Sequence, residues 1–142
     1  EFRRLAPEYS ELPRHDAAAR LADLLNCVVV LKGAATVIAE PRGRILINTT
    51  GNNGLASGGS GDVLTGLLLG FLAQGMAELP AAAAAVYLHG SAADIAVHDS
   101  TTRALIPSDL IRFFPEVFRR VGWDSEQPVN SIIYPDGGSC QK

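Results

Sequence analysis

The sequence predicts an α/β fold, and three observations carry this prediction. A short, continuous β-branched run at 27–31 has the length and composition of a buried strand. Apolar residues over 13–26 instead recur at helical spacing, as they do again in three later segments. A glycine-rich loop leads directly into one of these apolar segments at Asp62. With 142 residues, the chain is long enough to bury the core of one domain.

The first half of the chain predicts one helix and three strands. The helix covers about 13–26, and its apolar positions are Ala17, Leu21, Leu24 and Leu25. The run at 27–31 is typical of a strand covered on both faces, as in a parallel sheet. Two further apolar segments, 35–39 and 44–48, flank a Pro/Gly turn at 40–43 and therefore predict a β-hairpin.

The second half of the chain predicts three helices after a polar loop at 49–61. The first helix begins at Asp62 and is apolar on most of its faces, which indicates a buried helix. The second covers about 80–98, and the third begins at about Ser108, which would cap it, and ends near residue 121. The polar, Pro- and Gly-containing residues 122–142 predict a loosely held tail or an edge strand.

Composition and charge argue against several classes of protein. The formal net charge of -3 gives no basic footprint for nucleic acid, and no apolar stretch is long enough to predict a membrane span. We expect Cys27 to be a buried thiol and Cys140 to lie in the tail, so we expect no disulfide framework. We therefore expect a reducing, cytoplasmic location. The first residues resemble no secretory signal and include no initiator Met, which indicates that the chain begins inside a longer protein.

The strongest functional signal is the block Gly58-Gly59-Ser60-Gly61-Asp62. Its glycines allow a close approach of the backbone to a ligand, and the N–H groups that begin the next helix have no helical partner, so the block suits a phosphate. Asp62 would then act as a general base for a hydroxyl that attacks a phosphoryl group. The alternative is that Asp62 is an ordinary helix N-cap. The block matches neither a Walker A loop nor a Rossmann fingerprint.

A second signal, Lys32-Gly33-Ala34-Ala35-Thr36, follows the first predicted strand. Ligands bind at such strand ends in open α/β sheets, so Lys32 would meet a nucleotide phosphate and Thr36 would offer a hydroxyl. The alternative is a solvated lysine at the end of a strand. Both interpretations fit the sequence equally well.

Histidines and acidic residues elsewhere carry weaker signals. We interpret His89 as a partly buried structural histidine in preference to a catalytic one, and His15 and His98 as surface residues. Ser108 and Asp109 are typical of a cap followed by a first-turn carboxylate. The sequence shows no metal-ligand spacing.

Four blocks resemble, in the same order, those of the ADP-dependent NAD(P)H-hydrate dehydratases, which belong to the ribokinase-like superfamily. The blocks are 29–38, 52–64, 86–90 and 108–111. The resemblance covers about residues 1–120 and implies a ribokinase-like three-layer α/β/α fold. It further implies that residues 1–121 are the C-terminal half of that nucleotide-binding domain, without the N-terminal half.

The resemblance also implies an activity, the repair of hydrated NADH and NADPH. ADP, or ATP in some members, phosphorylates the C6 hydroxyl of the hydrate, and phosphate then leaves; Mg²⁺ is a possible further cofactor. By this resemblance the nucleotide would contact Lys32, Gly33, Ala34, Ala35, Thr36 and Gly61, and from the phosphate-binding pattern of the block we add Gly58, Gly59 and Ser60. Asp62 and Asn52 would contact the hydrate, with Asp62 as the base.

Two features depart from the family pattern: Asn53 stands where the family has Pro, and the N-terminal half is absent. We therefore expect the isolated chain to bind nucleotide weakly or not at all, and to work as a homo-oligomer or with a complementing N-terminal half. One alternative function is a ribokinase-like kinase acting on a hydroxymethyl group or a sugar hydroxyl. Another is a non-catalytic module for assembly or nucleotide sensing.

Overall fold

The computed structural model describes residues 2–123, which form five α-helices and three strands. In chain order these are α1 (Phe2–Leu5), α2 (Arg14–Leu25), β1 (Val29–Leu31), β2 (Val37–Ala39), β3 (Ile45–Ile47), α3 (Ser60–Ala73), α4 (Glu78–Asp99) and α5 (Pro107–Arg120), with short 3-10 helices at Pro7–Tyr9 and Asn53–Ala56. The four predicted helices and the predicted hairpin are confirmed, with ends shifted by a residue or two. The predicted tail lies outside the described residues from 124 onward.

The three strands form one antiparallel sheet in the order β1-β2-β3. Val30 pairs with Ile38, and Ile38 pairs in turn with Leu46. The prediction of a parallel strand at 27–31 is therefore wrong for the described pairing, and β1 is only half-buried. The strand buried along its whole length is β2, because it has a neighbouring strand on each side and a helix against each face.

Helices cover both faces of β2, which gives three layers. Val37 and Ala39 pack against Ala18 and Ala22 of α2, whereas Ile38 packs into a separate core formed mainly by α3, α4 and α5. Successive side chains of a strand point to opposite faces, so one short strand serves two cores. Cys27, which precedes β1, is exposed, and the prediction of a buried thiol there is wrong.

Helix α4 is the centre of the larger core, and α3 and α5 pack along it. Its alanines are mostly buried and allow these helices to come close. The prediction that α3 is buried is wrong for much of its length: Leu64 and Phe71 are buried, but Leu69 is 59% exposed. The apolar pattern overstated the burial because α3 contacts its neighbours along one side. No helix within residues 2–123 is long and apolar enough to cross a membrane.

The beginning of α5 differs from the prediction by one residue. Pro107 occupies the first helical position and Ile106 the N-cap, so Ser108 is not the cap. The Asp109 carboxylate accepts a hydrogen bond of 3.1 Å from the Ile106 backbone N–H, so the predicted first-turn carboxylate is confirmed. Proline is common at the first position of a helix, because it has no N–H that would be left unpaired there.

Candidate functional site

The glycine block forms the N-terminus of α3. Gly59 is the N-cap, with φ of 88°, and a Cβ there would lie 3.1 Å from Cγ of Pro107. A left-handed backbone angle and a close neighbour both favour glycine at this position. Helix α3 begins at Ser60, so Asp62 lies within the first turn and makes no capping hydrogen bond. The alternative interpretation of Asp62 as an N-cap is therefore wrong.

Some of the amides of the block are free and others are not. The Ser60 N–H donates to the Ser57 carbonyl at 3.3 Å, and the Asp62 N–H donates to the Gly59 carbonyl at 3.0 Å. Within the described part of the chain, the N–H groups of Gly58, Gly59 and Gly61 have no acceptor. The predicted anion site therefore has three available donors, all of them glycine amides.

A cleft of about 520 Å³ brings Lys32 to these glycines. The Lys32 ammonium lies over Gly61, since a Cβ built on that glycine would be 3.2 Å from Nζ. Gly58, Gly59 and the exposed Asp62 line the same cleft, and Val30, Leu64, Leu68 and Val86 contribute apolar surface. A cation, free amides and one carboxylate therefore share a single space. A smaller cavity, about 220 Å³ between α4 and α5, contains none of the predicted site residues.

The remainder of the segment 32–36 forms a turn outside this cleft. The Gly33 N–H donates to Thr36 Oγ1 at 3.4 Å, and the Thr36 hydroxyl donates to the Gly33 carbonyl at 3.1 Å. Ala35 holds a left-handed backbone angle, φ 54°, and Ala34 is exposed. Only Lys32 of this segment reaches the glycine block, and the nucleotide contacts of the other four residues stay predictions.

Arg14 is a residue that sequence reasoning missed. Its guanidinium donates to the carbonyls of Leu31 and Lys32 at 2.9 and 3.0 Å, and it lies against Gly33, where a Cβ would be 2.8 Å from Nη2. Arg14 thus pairs the last carbonyl of β1 and the carbonyl that follows it, and fixes the backbone from which Lys32 projects. On the sequence, Arg14 is only one polar residue on the outer face of a predicted helix, so no pattern marks it.

Asn52 lies in the loop before the glycine block and does not line the cleft. Its Oδ1 accepts a hydrogen bond of 3.0 Å from the Gly54 N–H, and its Nδ2 donates to Asp94 of α4 at 3.1 Å. These contacts give Asn52 a role in shaping the loop, and its contact with the hydrate stays a prediction. The neighbouring Asn53 begins a short 3-10 helix.

His89 is buried and hydrogen-bonded, which agrees with its interpretation as a structural histidine. It is 4% exposed, and its Nε2 lies 2.9 Å from the Ser60 carbonyl and 3.3 Å from the Ser60 hydroxyl. A carbonyl can only accept, so Nε2 carries the hydrogen. Burial lowers the pKa of His89, the Ser60 carbonyl opposes this shift, and the charge of Lys32 adds to it. Ser60 is itself buried against His89 and faces the core, not the cleft.

Metal-ligating residues are sparse around this cleft. Asp62 is the one carboxylate that lines it in the described part of the chain, and residues 2–123 contain no group of three or more His, Cys, Asp or Glu side chains suited to a metal. His15 and His98 are exposed, as predicted. Among the described residues, Asp62 is therefore the one carboxylate that this cleft offers to a metal ion.

Comparison with known proteins identifies one family. The sequence model of the NAD(P)H-hydrate dehydratase family matches residues 1–116. The bifunctional NAD(P)H-hydrate repair enzyme Nnr of Moorella thermoacetica is 45% identical over 120 residues, which cover 84% of this chain and 22% of that protein. The ADP-dependent (S)-NAD(P)H-hydrate dehydratase of Bacillus subtilis is 40% identical over 121 residues, 84% of this chain and 44% of that one.

Solved structures give the same result. The ADP/ATP-dependent NAD(P)H-hydrate dehydratase of Bacillus subtilis, co-crystallized with ATP/Mg²⁺, matches with a TM-score of 0.74 and 39% identity over 80% of this chain and 41% of that chain. A ribokinase-like superfamily protein of Enterococcus faecalis matches with a TM-score of 0.67 and 32% identity over 84% of this chain and 41% of that one. The predicted ribokinase-like fold is confirmed. The chain spans less than half the length of these relatives.

Proposed function

The chain belongs to the NAD(P)H-hydrate dehydratase family, and from this premise we propose that it binds ADP or ATP and takes part in the dehydration of hydrated NADH and NADPH. The observation that carries the proposal is the meeting of Lys32 with the free amides of Gly58, Gly59 and Gly61 in one cleft. Relatives named as ADP-dependent or ADP/ATP-dependent dehydratases support it.

The cleft suits a nucleotide phosphate for electrostatic reasons. Three unpaired N–H donors lie at the N-terminus of α3, where the helix dipole places its positive end. The Lys32 ammonium adds a full positive charge beside Gly61. A side chain at Gly61 would occupy the place where the ammonium and the backbone meet, so glycine keeps this space open for a ligand.

Asp62 is the group that we assign to proton transfer. It is exposed to the cleft and follows Gly61 directly, and its carboxylate has no hydrogen-bond partner among the described residues. The hydroxyl oxygen of the hydrate would attack the terminal phosphorus of the nucleotide and form a new O–P bond, while the bond to the leaving nucleotide breaks. Asp62 would accept the hydroxyl proton in that step. Phosphate would leave afterwards with cleavage of the C–O bond, and the adjacent ring carbon would release a proton to water, so that the ring double bond forms.

Magnesium is compatible with this site but is not needed to define it. Mg²⁺ commonly takes one or two carboxylates together with substrate phosphates and water. Asp62 supplies one carboxylate, and a relative was co-crystallized with ATP/Mg²⁺. When bound, the ion would neutralise phosphate charge, and the residues of this chain would keep the roles given above.

The chain spans about two fifths of the length of the Bacillus subtilis relatives, so it covers only part of the enzyme that carries out the reaction in them. We propose that phosphate binding resides in these residues, whereas full dehydratase activity also requires substrate contacts from the part of the family fold that they do not cover. A second copy of this chain could also supply the further contacts. Mixing this chain with the N-terminal half of a relative separates the two cases: activity that appears only after mixing indicates the N-terminal half, and activity of the chain alone indicates a second copy.

Nucleotide binding is tested by calorimetric titration of the full chain with ADP. We expect Lys32→Ala to weaken binding by about tenfold, equivalent to about 1.4 kcal/mol, because it removes the one cation beside the free amides. The matched control is Arg20→Ala, which removes an exposed positive charge from α2, outside the cleft. Equal affinities in wild type and Lys32→Ala would refute the assignment of the phosphate site.

The reaction type is tested by product analysis with ADP and hydrated NADH. Return of the dihydronicotinamide absorbance indicates dehydration. A stable phosphorylated alcohol, formed from a sugar or a hydroxymethyl heterocycle, would instead indicate a kinase and overturn the dehydratase proposal.

A further inference from the structure

Helix α4 contacts both ends of the loop that carries the glycine block, residues 49–60, named here the glycine loop. We propose that Asp94 and His89 of α4 are positioning residues that hold the glycine loop in the shape in which the amides of Gly58, Gly59 and Gly61 stay free and face the cleft. The role in ligand binding rests on the proposed function, whereas the role in shaping the loop does not. Neither Asp94 nor His89 lines the cleft, so neither can act by touching the ligand there.

Asp94 holds the beginning of the loop. Its Oδ2 accepts a hydrogen bond of 2.7 Å from the Gly51 N–H, and its Oδ1 accepts one of 3.1 Å from Nδ2 of Asn52. Asn52 continues the network, since its own Oδ1 accepts from the Gly54 N–H at 3.0 Å. Hydrogen bonds to a carboxylate are stronger than those between neutral groups, so a single side chain of α4 holds Gly51 and Asn52 directly and Gly54 through Asn52.

Close backbone packing places this contact. Gly90 lies one turn before Asp94 on the same side of α4, and a Cβ at Gly90 would overlap Oγ1 of Thr50 and lie 2.7 Å from its carbonyl carbon. The Thr50 hydroxyl lies 2.9 Å from the Tyr87 carbonyl. The loop backbone therefore rests directly on α4, which puts Gly51 within reach of the Asp94 carboxylate.

His89 holds the end of the loop. Its Nε2–H donates to the Ser60 carbonyl at 2.9 Å, at the residue where α3 begins, and both residues are buried. Burial lowers the pKa of His89, so this contact does not depend on a positive charge on the ring. It fixes the first turn of α3 against α4 and with it the direction of the helix N-terminus.

Between these two attachments, the 3-10 helix Asn53–Ala56 packs on the core through Leu55, but Gly58, which follows it, faces open space. Gly58 and Gly59 are exposed, and their N–H groups have no partner among the described residues. Ordering such glycines costs more backbone entropy than ordering other residues. If the two ends are fixed by α4 before any ligand arrives, part of that cost is met during folding, and the free amides are preorganised for an anion.

The experiment measures backbone order at Gly58, Gly59 and Gly61 by NMR relaxation in the ligand-free full chain. We expect Asp94→Asn to lower the order parameters of these amides from the rigid range near 0.85 to below about 0.6, since the amide replacing the carboxylate can accept only one of its two hydrogen bonds. The matched control is Asp99→Asn, an exposed acid on the same helix, which should leave these amides unchanged. The affinity for ADP should fall about tenfold in Asp94→Asn alone.

The outcomes separate this proposal from the proposed function. Loosening confined to Gly51 and Asn52, with the three glycine amides unchanged, would overturn the positioning role of Asp94. A wild-type chain that fails to bind ADP would contradict the proposed function, and the order parameters would still decide the positioning role.

A second pair of variants keeps the test decisive if Asp94→Asn does not fold. His89→Leu removes the donor to Ser60, whereas His89→Gln retains an N–H that can reach the carbonyl. We expect low order parameters for the glycine amides in His89→Leu. In His89→Gln we expect the order parameters of the wild type. Equal order in both variants, or loosening that spreads evenly through α3 and α4, would indicate a structural residue without a specific effect on the loop.

Discussion

The two sides of the cleft are built in opposite ways. The glycine loop is held by buried groups, with His89 and Ser60 at 4% and 1% exposure, and it rests on α4, the longest helix within residues 2–123. Lys32 projects from a short exposed turn that is held by its own Thr36 hydroxyl and by the long side chain of Arg14. The comparison shows that packing of the core fixes the position of the amide donors, whereas a few exposed contacts fix the position of the Lys32 ammonium. Substitutions should therefore affect the two sides to different degrees.

The largest effect is expected where the glycine loop touches α4. Gly90→Ala would force a methyl group into Thr50, and overpacking of this kind typically costs about 1–3 kcal/mol. We also expect loss of ADP binding, because the loop must move. Urea unfolding and ADP titration measure both effects.

The control for this substitution is Gly70→Ala in α3, where a methyl group meets open space. It should stabilise the chain by about 0.5–1 kcal/mol, because alanine is the better helix former. Unfolding of the two variants at the same urea concentration would contradict the close contact between α4 and the glycine loop.

The next effect concerns pH and the same buried side. The pKa of His89 is lowered in the folded chain, so the unfolded chain takes up a proton more readily as pH falls below the usual histidine value of about 6.5. Stability is therefore full above that pH and is lost as pH falls toward the folded pKa.

Thermal unfolding between pH 7 and pH 5 measures this loss, and His89→Gln should flatten the profile. The carboxyl groups of Glu40 and Glu116 titrate below this pH range, because hydrogen bonds to arginines lower their pKa values. A profile that keeps its slope in His89→Gln would show that another group is responsible.

A smaller effect is expected on the exposed side of the cleft. Arg14→Ala removes the donor to two carbonyls at the end of β1, and exposed hydrogen bonds of this type contribute about 0.5–1.5 kcal/mol. We expect ADP binding to weaken by about threefold, because Lys32 remains present but is less well placed. Arg20→Ala of the same helix should bind ADP as wild type does, and an equal loss in both would mean that only total charge matters.

The smallest effect on binding is expected for Asp62→Asn. The carboxylate is exposed, has no hydrogen bond in the described part of the chain, and repels a phosphate, so its loss should leave ADP affinity unchanged or raise it by a small factor. Turnover with a complementing chain should nevertheless be abolished, because the proton acceptor is gone. Retained turnover would show that another group serves as the base.

Much of the fold and part of the site could be predicted from local patterns. The periodicity of α2, α4 and α5 and the Pro/Gly turn of the hairpin depend on neighbours along the chain, so their positions came out within a residue or two. The errors concern burial. Cys27 and much of α3 are apolar but exposed, because composition does not reveal which sides of an element other elements cover.

What the sequence determined by itself is the set of chemical groups: a glycine block before a helix, a following carboxylate and a lysine at a strand end, which together predict a phosphate site. What only the tertiary structure decided is how these parts are held. It brought Lys32 over Gly61 and left three amides unpaired, and it assigned Arg14, His89 and Asp94 to supporting contacts. The physical reason is range: backbone preferences act between neighbours in the chain, whereas a hydrogen bond across more than 40 residues depends on how the helices pack.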